Sequence, residues 1–169
     1  TAEALAGLRA VFQKDGSVTA GNASGINDGA AAVVLARSAA AEKAGLRPKA
    51  RVLGYAHAGV RPEVMGIGPV PAVRNLLERT GLTLDAFDVI ESNEAFAAQV
   101  LANGQALHWD WDRVNTRGGA IALGHPIGAS GARIVVTLLY GLQAARAKNG
   151  LAVICHAGGG AVAMSVTMQ

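Results

Sequence analysis

Apolar residues recur along the chain in blocks whose spacing alternates between that of helices and that of strands. Helical spacing, often flanked by a capping residue or a terminal glycine, predicts helices at residues 1–12, 38–45, 69–81, 93–107 and 131–148. Short apolar runs predict strands at residues 30–36, 50–60, 87–92, 151–157 and 161–168. Residues 13–29, rich in Gly, Asn, Asp and Ser, are predicted to form a loop.

This alternation predicts an α/β fold with a mixed, mostly parallel five-stranded sheet and helices on both faces. Only Gly158, Gly159 and Gly160 separate the last two predicted strands. So short a connection joins antiparallel strands, because a parallel pair needs a crossover. The final pair is therefore predicted to be antiparallel.

The predicted helix at residues 131–148 is apolar on nearly every side of its first half. Such a helix is normally buried all round, whereas a single sheet covers one side only. The composition is also apolar, with 51% hydrophobic and 16% charged residues. The chain is either an Ala-rich domain with an ordinary core or one layer of a larger structure, and this helix favours the second interpretation.

Charge and cysteine content exclude several classes of function. The net charge is +3, but the basic residues are scattered and not interleaved with aromatics, which argues against nucleic-acid binding. The single cysteine, Cys155, excludes an internal disulfide and a paired-cysteine metal site. No run has the length of a membrane helix and no signal-peptide pattern opens the chain, so we expect a cytoplasmic protein. Because the first residue is Thr1, we also expect a processed or cut piece.

His125 stands immediately before Pro126, between a glycine and a run of small residues. The proline favours extended backbone at His125 and suits the first turn of a helix beginning near Ile127. The positive end of that helix would keep the imidazole neutral, able to accept a proton or to donate one hydrogen bond. The alternative is a tight turn whose histidine merely caps the helix.

Cys155 and Asn93 are the other candidates for chemistry. Cys155 ends an apolar strand and precedes glycines whose backbone N–H groups could bind an oxyanion. Asn93 is placed at the start of a predicted helix. Each has a structural alternative, which is inert core for the cysteine and helix capping for the asparagine.

Four segments together resemble the thiolases, the acetyl-CoA acetyltransferase and acyltransferase family. They are TAGNASGINDGAAAVVL at 19–35, MGIGPVPA at 65–72, NEAFAAQ at 93–99 and GHPIGASGARI at 124–134. The resemblance covers the C-terminal half of a thiolase only. It implies a thiolase-like layered fold in which helices lie between two sheets, one from each half of the enzyme.

The same resemblance implies two parts in this chain. Residues 1–28 would be a connecting segment that contacts CoA, and residues 29–169 would be the C-terminal thiolase domain. The implied reaction transfers an acyl group between CoA thioesters, with Claisen carbon–carbon bond formation or thiolytic cleavage of 3-ketoacyl-CoA. It proceeds by ping-pong transfer through a cysteine of the N-terminal half and belongs to fatty-acid metabolism.

Family roles carry over to matching positions. His125 would activate the nucleophilic cysteine and help hold the thioester oxygen, and Asn93 would position a water in the same oxyanion hole. Cys155 would move the α-proton, and the N–H of Ala157 would serve a second oxyanion hole. Residues at positions that line the CoA tunnel are Phe12, Ala20, Ser24, Met65, Ala95 and Phe96.

No metal or other cofactor is implied, since CoA thioesters are the substrates. The expected partners are CoA or acyl-CoA, an N-terminal thiolase half and further copies in a homo-oligomer, with no nucleic acid or membrane. Two residues depart from the family pattern: Arg117 replaces an asparagine and Ala157 replaces a glycine. We expect this chain alone to be inactive, because its one cysteine already has a role. The alternatives are a catalytically idle thiolase-like domain for binding or assembly, and a hydrolase with Cys155 as nucleophile.

Overall fold

Four strands form one mixed sheet in a computed structural model that describes all 169 residues. They are β1 (Ala50–Gly59), β2 (Val89–Ser92), β3 (Asn149–His156) and β4 (Gly160–Met168), in the spatial order β1-β4-β3-β2. β4 runs antiparallel to both of its neighbours, whereas β2 and β3 are parallel. The mixed sheet and the antiparallel final pair are confirmed, but the sheet is not mostly parallel, because two of its three neighbouring pairs are antiparallel.

The predicted count of five strands is wrong, because residues 30–36 pair with no strand. Val34 and Leu35 in this segment are 92% and 77% exposed. A continuous apolar run indicates a strand with neighbours, but no element of this chain lies beside it to complete the ladder. The fifth position of the sheet is instead occupied by Val114, which makes a single parallel bridge to Ile90 at the outer edge of β2.

Two helices cover opposite faces of the sheet, as predicted. α3 (Pro69–Thr80) packs on one face and α6 (Ser130–Ala145) packs on the other. Because successive strand residues point to opposite faces, Val153 joins the core beneath α3 while Ala152 joins the core beneath α6.

The remaining helices are short. They are α1 (Ala2–Ala6), α2 (Ser38–Lys43), α4 (Ala97–Leu107) and α5 (Ala120–Leu123), with 3₁₀ turns at Pro62–Ile67, Leu84–Ala86 and Trp111–Arg113. α1 is half the predicted length, although Thr1 Oγ1 caps it by accepting the N–H of Ala4 at 3.2 Å. Ser38 opens α2 but is not its cap, since Arg37 holds that position. None of the helices combines the length and the hydrophobicity that a membrane crossing requires.

α6 is buried along one stripe rather than all round. The buried residues are Ser130, Ile134, Leu138, Gly141 and Leu142. Val135 and Leu139 are half-buried, and Tyr140 is exposed. The apolar face opposite the sheet is thus open within this chain, and its predicted covering by a second sheet stays a prediction.

Candidate active site

Asn93 and Cys155 lie at the carboxyl ends of neighbouring parallel strands. Ser92 of β2 is in register with Val153 of β3, and the N–H of Asn93 donates to Val153 O at 3.0 Å. Neighbouring strands are about 5 Å apart. The two residues therefore lie at the same carboxyl-end edge of the sheet, where they are 1% and 5% exposed respectively.

Asn93 is not a helix cap, which corrects the first prediction about it. α4 begins four residues later at Ala97, and Phe96 holds its N-cap position. Strand pairing extends one residue past β2 through the Asn93 N–H, and this keeps Asn93 at the end of the sheet. Its Oδ1 atom is buried and has no hydrogen-bond partner within the chain.

His125 joins Asn93 at this edge. The backbone N–H of His125 donates to Gly25 O at 3.0 Å, and the ring Nε2 lies 3.4 Å from Asn93 Nδ2. The preceding Gly124 has φ +99°, and a Cβ there would lie 2.6 Å from the Asn27 carboxamide oxygen. Glycine is therefore required at this position for the backbone to deliver the imidazole to Asn93.

Ser130 holds the other side of the imidazole ring. Its Oγ lies 2.6 Å from His125 Nδ1, and its hydroxyl donates to Pro126 O at 3.0 Å. A serine hydroxyl has a single proton, so Nδ1 is the donor in this pair and carries the ring proton. Nε2 is then left as the acceptor that faces Asn93.

Ser130 was missed in the sequence, because a serine within GASGA looks like a small residue chosen for close packing. The one available signal was its spacing. It follows His125 by five residues across the turn at Pro126, which returns the chain toward the histidine.

His125 is kept neutral, but not by the cause predicted. α6 begins at Ser130 rather than near Ile127, because residues 126–129 form a turn. Burial lowers the pKa of His125, and the positive charge of Arg133 lowers it further. The imidazole is therefore a neutral hydrogen-bond acceptor in the neutral pH range.

Cys155 lies in an apolar environment and not in a positive one. Burial raises the pKa of its thiol, and a backbone hydrogen bond offsets part of this effect. In this chain Cys155 is consequently a protonated thiol near neutral pH, able to donate a proton.

The turn after Cys155 presents backbone donors. Gly158 and Gly159 have φ values of +84° and +91°, and a Cβ on Gly159 would overlap the carbonyl of Val60. Ala157 is exposed, and its N–H has no partner within the chain. This free N–H follows the thiol by two residues and is available as an oxyanion donor.

Part of the predicted CoA-contacting set is brought together beside α4. Ser24 N–H and Oγ both donate to Ala95 O, at 3.1 and 3.3 Å, and Ala23 bridges Phe96. Met65 is half-buried in the 3₁₀ turn next to α4. Ala20 is exposed, and Phe12 lies in the turn closed by Ala10 and Thr19 with 75% of its surface exposed. No hydrogen bond or bridge links Phe12 to the other members, so its predicted role stays a prediction.

Glu94 and Asn115 brace the site from outside. Glu94 accepts Asn115 Nδ2 at 2.8 Å and the N–H of Ile121 at 3.0 Å. Asn115 also exchanges two 2.8 Å hydrogen bonds with the backbone of Ser92. These bonds tie the segment leading to His125 onto the end of β2. A cavity of about 390 Å³ lies between α4 and this segment, but neither His125 nor Cys155 lines it.

Arg117 does not point into the histidine–asparagine pair. Its side chain is exposed, and its Cδ and Nε lie about 4.0 Å from where a Cβ on Gly141 of α6 would be. The charge that Arg117 introduces therefore lies near the buried Gly141 in the second half of α6, and it also acts on Glu91.

Known proteins match this chain along its whole length. The model of the thiolase C-terminal domain matches residues 46–168, and that of the thiolase N-terminal domain matches residues 1–39. An acetyl-CoA acetyltransferase of Escherichia coli is 59% identical over 166 residues, and a beta-ketoadipyl-CoA thiolase of Pseudomonas aeruginosa is 58% identical over 168. Each alignment covers 98% of this chain and 42% of the relative, so the chain spans less than half the length of these relatives.

Solved structures agree with the sequence matches. The acetyl-CoA acetyltransferase of Bacillus anthracis superposes with a TM-score of 0.97 at 50% identity. Human mitochondrial 3-ketoacyl-CoA thiolase in complex with CoA superposes with a TM-score of 0.92 at 41% identity. Both cover 100% of this chain and 43% of the other. The chain belongs to the thiolase family.

Proposed function

We propose that this chain is the C-terminal part of a thiolase, which transfers acyl groups between CoA thioesters. The observation that carries the proposal is the His125–Asn93 contact at 3.4 Å, at the same sheet edge as Cys155. The names of the relatives, acetyl-CoA acetyltransferase and beta-ketoadipyl-CoA thiolase, support the same reaction class.

His125 Nε2 is the base for the first half-reaction. With Nδ1 protonated against Ser130, Nε2 accepts the proton of a cysteine supplied by an N-terminal thiolase domain. The thiolate then attacks the thioester carbonyl of acyl-CoA, the C–S bond to CoA breaks, and CoA leaves as a thiol with the proton of Cys155, which becomes a thiolate. Once protonated, Nε2 donates a hydrogen bond to the thioester oxygen as enolate character develops in the second half-reaction.

Asn93 completes the first oxyanion hole. Its buried Oδ1 has no protein partner, so a water held there would donate its other proton toward the substrate oxygen. The Cys155 thiolate left by the first half-reaction removes the α-proton of the second acetyl-CoA in condensation, and in thiolysis the Cys155 thiol returns it. The carbanion attacks the acyl group, and the departing N-terminal thiolate takes back the proton held by His125. The free N–H of Ala157 would donate to the oxygen of the acylated cysteine. Each oxyanion donor of this kind is typically worth about 10²–10³ in rate.

The pantetheine arm of CoA would lie along the segment that pairs with residues 95–97. Ser24, Ala95 and Phe96 are already in contact there, and Ala20, Met65 and Phe12 would extend the tunnel. Small and apolar side chains suit a thin, flexible arm. CoA thioesters are the substrates, and the reaction needs no metal or other cofactor.

The reaction needs a cysteine to carry the acyl group, and this requirement identifies the partner of the chain. An N-terminal thiolase domain would supply it, and would also cover the open face of α6 and pair with residues 30–36. We further propose a homo-oligomer, a cytoplasmic location and a place in fatty-acid metabolism.

The test is acyl trapping in the assembled enzyme. Cys155→Ser should still form an acetyl adduct on the N-terminal domain after brief exposure to acetyl-CoA, but should lose condensation. His125→Asn should impair both steps. Mass spectrometry of peptides locates the adduct. An adduct mapped to Cys155 in the unmodified enzyme would instead support the hydrolase-like assignment, with Cys155 as nucleophile.

The second candidate is a thiolase-like domain that binds but does not catalyse. Ala157 and Arg117 favour it: the methyl group of Ala157 would narrow the site at a position that is glycine in the family, and Arg117 adds a charge where the family has an asparagine. Ala157→Gly in the assembled enzyme separates the two candidates. A large gain in thiolysis from a negligible starting rate would support the idle domain, whereas a change within a few-fold of an already active enzyme supports the catalyst.

A further inference from the structure

An ion pair between a buried glutamate and a half-buried arginine lies one helical turn from the serine that holds His125, and it has no part in the mechanism above. Glu91 precedes Asn93 by two residues on the same strand, so both side chains point to the face covered by α6. It is 1% exposed, and its Oε2 lies 4.0 Å from a terminal nitrogen of Arg133 on α6. Arg133 lies one turn beyond Ser130, the residue that holds His125 Nδ1.

This pair is poorly suited to stabilising the fold. Its separation of 4.0 Å is at the limit of an ion pair, and both Glu91 Oε1 and Arg133 Nε are buried without a hydrogen-bond partner. A buried pair with incomplete hydrogen bonding rarely recovers the cost of removing two charges from water. Its position next to the site therefore calls for a functional explanation.

Of the two residues in the pair, Arg133 is the one that acts directly on the pKa of His125. Arg133 is the charged group that lowers the pKa of His125. Burial raises the pKa of Glu91 to about 7, Arg133 and Arg117 act to lower it, and Glu94 acts to raise it. β3 contributes no charge beside Glu91, whose partner there is Ala152. Glu91 thus gains or loses its charge in the neutral range, directly against the arginine that acts on the histidine.

We propose that Glu91 and Arg133 are a positioning pair that sets the proton affinity of His125. When Glu91 is protonated, the charge of Arg133 is uncompensated and disfavours the imidazolium. When Glu91 is ionised, it neutralises Arg133 and His125 accepts a proton more readily. As pH rises through the neutral range, the pair therefore strengthens the base that the first half-reaction uses.

The experiment is an NMR titration of His125 in the chain labelled with ¹³C-histidine, with the His125 signal assigned by its loss in His125→Asn. Arg133→Met should raise the proton affinity of His125 by about threefold or more, or about half a pH unit, and Arg133→Lys should leave it near the starting value. Glu91 is already mostly protonated where His125 titrates, so Glu91→Gln should leave the His125 midpoint in place. It should instead remove the second inflection that Glu91 gives the His125 signal near pH 7. Glu78→Gln and Arg47→Met, which change exposed residues, are the matched controls.

A merely structural pair gives a different result. Arg133→Met would then lower stability while moving the His125 midpoint no more than the controls do, the His125 signal would show no inflection near pH 7, and that outcome overturns the proposal. Glu91→Gln preserves shape, so the loss or persistence of that inflection decides the question if Arg133→Met does not fold. In the assembled enzyme the acidic limb of kcat/KM should move in the same direction. This second readout alone rests on the proposed function: a midpoint that moves without any change in rate counts against the acyl-transfer role of His125 and not against the pair.

Discussion

Replacing Ser130 with alanine should remove the group that selects the useful tautomer of His125. The hydroxyl lies 2.6 Å from His125 Nδ1, and Ser130 is fully buried, so no bulk water replaces it. The substitution leaves His125 Nδ1, rather than Pro126 O, short of a hydrogen-bond partner. Pro126 O also accepts from the hydroxyl, but it still accepts hydrogen bonds from the N–H groups of Ala129 and Ser130 at 2.7 and 2.8 Å.

The size of the effect follows from that single hydrogen bond. Leaving a buried donor without its acceptor costs about 1–3 kcal/mol. If this cost applies to the tautomer with Nδ1 protonated, the equilibrium constant that favours this tautomer falls by about fivefold to a hundredfold. Because Nε2 is the proposed base, kcat/KM for thiolysis should fall as the fraction of that tautomer falls, by up to the same factor.

The assay is cleavage of acetoacetyl-CoA by the assembled enzyme, with ¹⁵N NMR of the His125 ring as a second measurement. Ser165→Ala is the matched control, since Ser165 is also fully buried. Its hydroxyl donates to Gly54 O at 3.4 Å between β4 and β1, at the end of the sheet away from β2. A Ser130→Ala enzyme that is within twofold of this control, with unchanged ring nitrogen shifts, would refute the role assigned to Ser130.

Three further outcomes are expected for the chain in solution. Iodoacetamide should modify Cys155 at least about tenfold more slowly than a free thiol at pH 7.5, because burial raises its pKa; an equal rate contradicts the buried site. Burial raises the folded-state pKa of Glu91 to about 7, above its ordinary value of 4.5, so its stabilising contribution is full below pH 4.5 and is lost as pH rises through 7. Urea titrations should show this loss, at most about 3 kcal/mol, and Glu91→Gln should flatten it. Leu138→Ala should lower the free energy of unfolding by about 2–5 kcal/mol, whereas Leu101→Ala, on an exposed position, should change it by less than about 1 kcal/mol.

Sequence patterns predicted the elements whose environment lies inside this chain. α3 agrees to within one residue because proline opens it and Gly81 ends it in the left-handed conformation, with φ +67°. The pairing of β3 with β4 was also predicted, since the short glycine turn between them allows only an antiparallel pair. Local signals were sufficient in both cases because the partners of these elements are close in sequence.

Residues 30–36 and Asn93 show where local signals fail. The apolar run indicates a strand, but a strand exists only where a partner presents its N–H and C=O groups, and none in this chain does so. Asparagine is a residue type that favours helix caps, yet the N–H of Asn93 donates to Val153 O and extends the sheet by one residue. The helix therefore begins only at Ala97. Both outcomes depend on long-range pairing, which single-residue preferences do not contain.

The site itself divides in the same way. The resemblance marked His125, Asn93 and Cys155, and the fold places Asn93 beside the histidine and Cys155 at the same edge of the sheet. It did not mark Ser130, Glu91 or Arg133, because a buried hydroxyl and a buried ion pair have no signature in spacing. A motif identifies the atoms that touch substrate, whereas the residues that set their proton affinity become visible only when burial and distance are known. Members of the family that share one mechanism can therefore differ in these residues and in the charges that act on them. In this chain Arg117 is such a difference, because it replaces the asparagine of the family pattern and its charge lowers the pKa of Glu91.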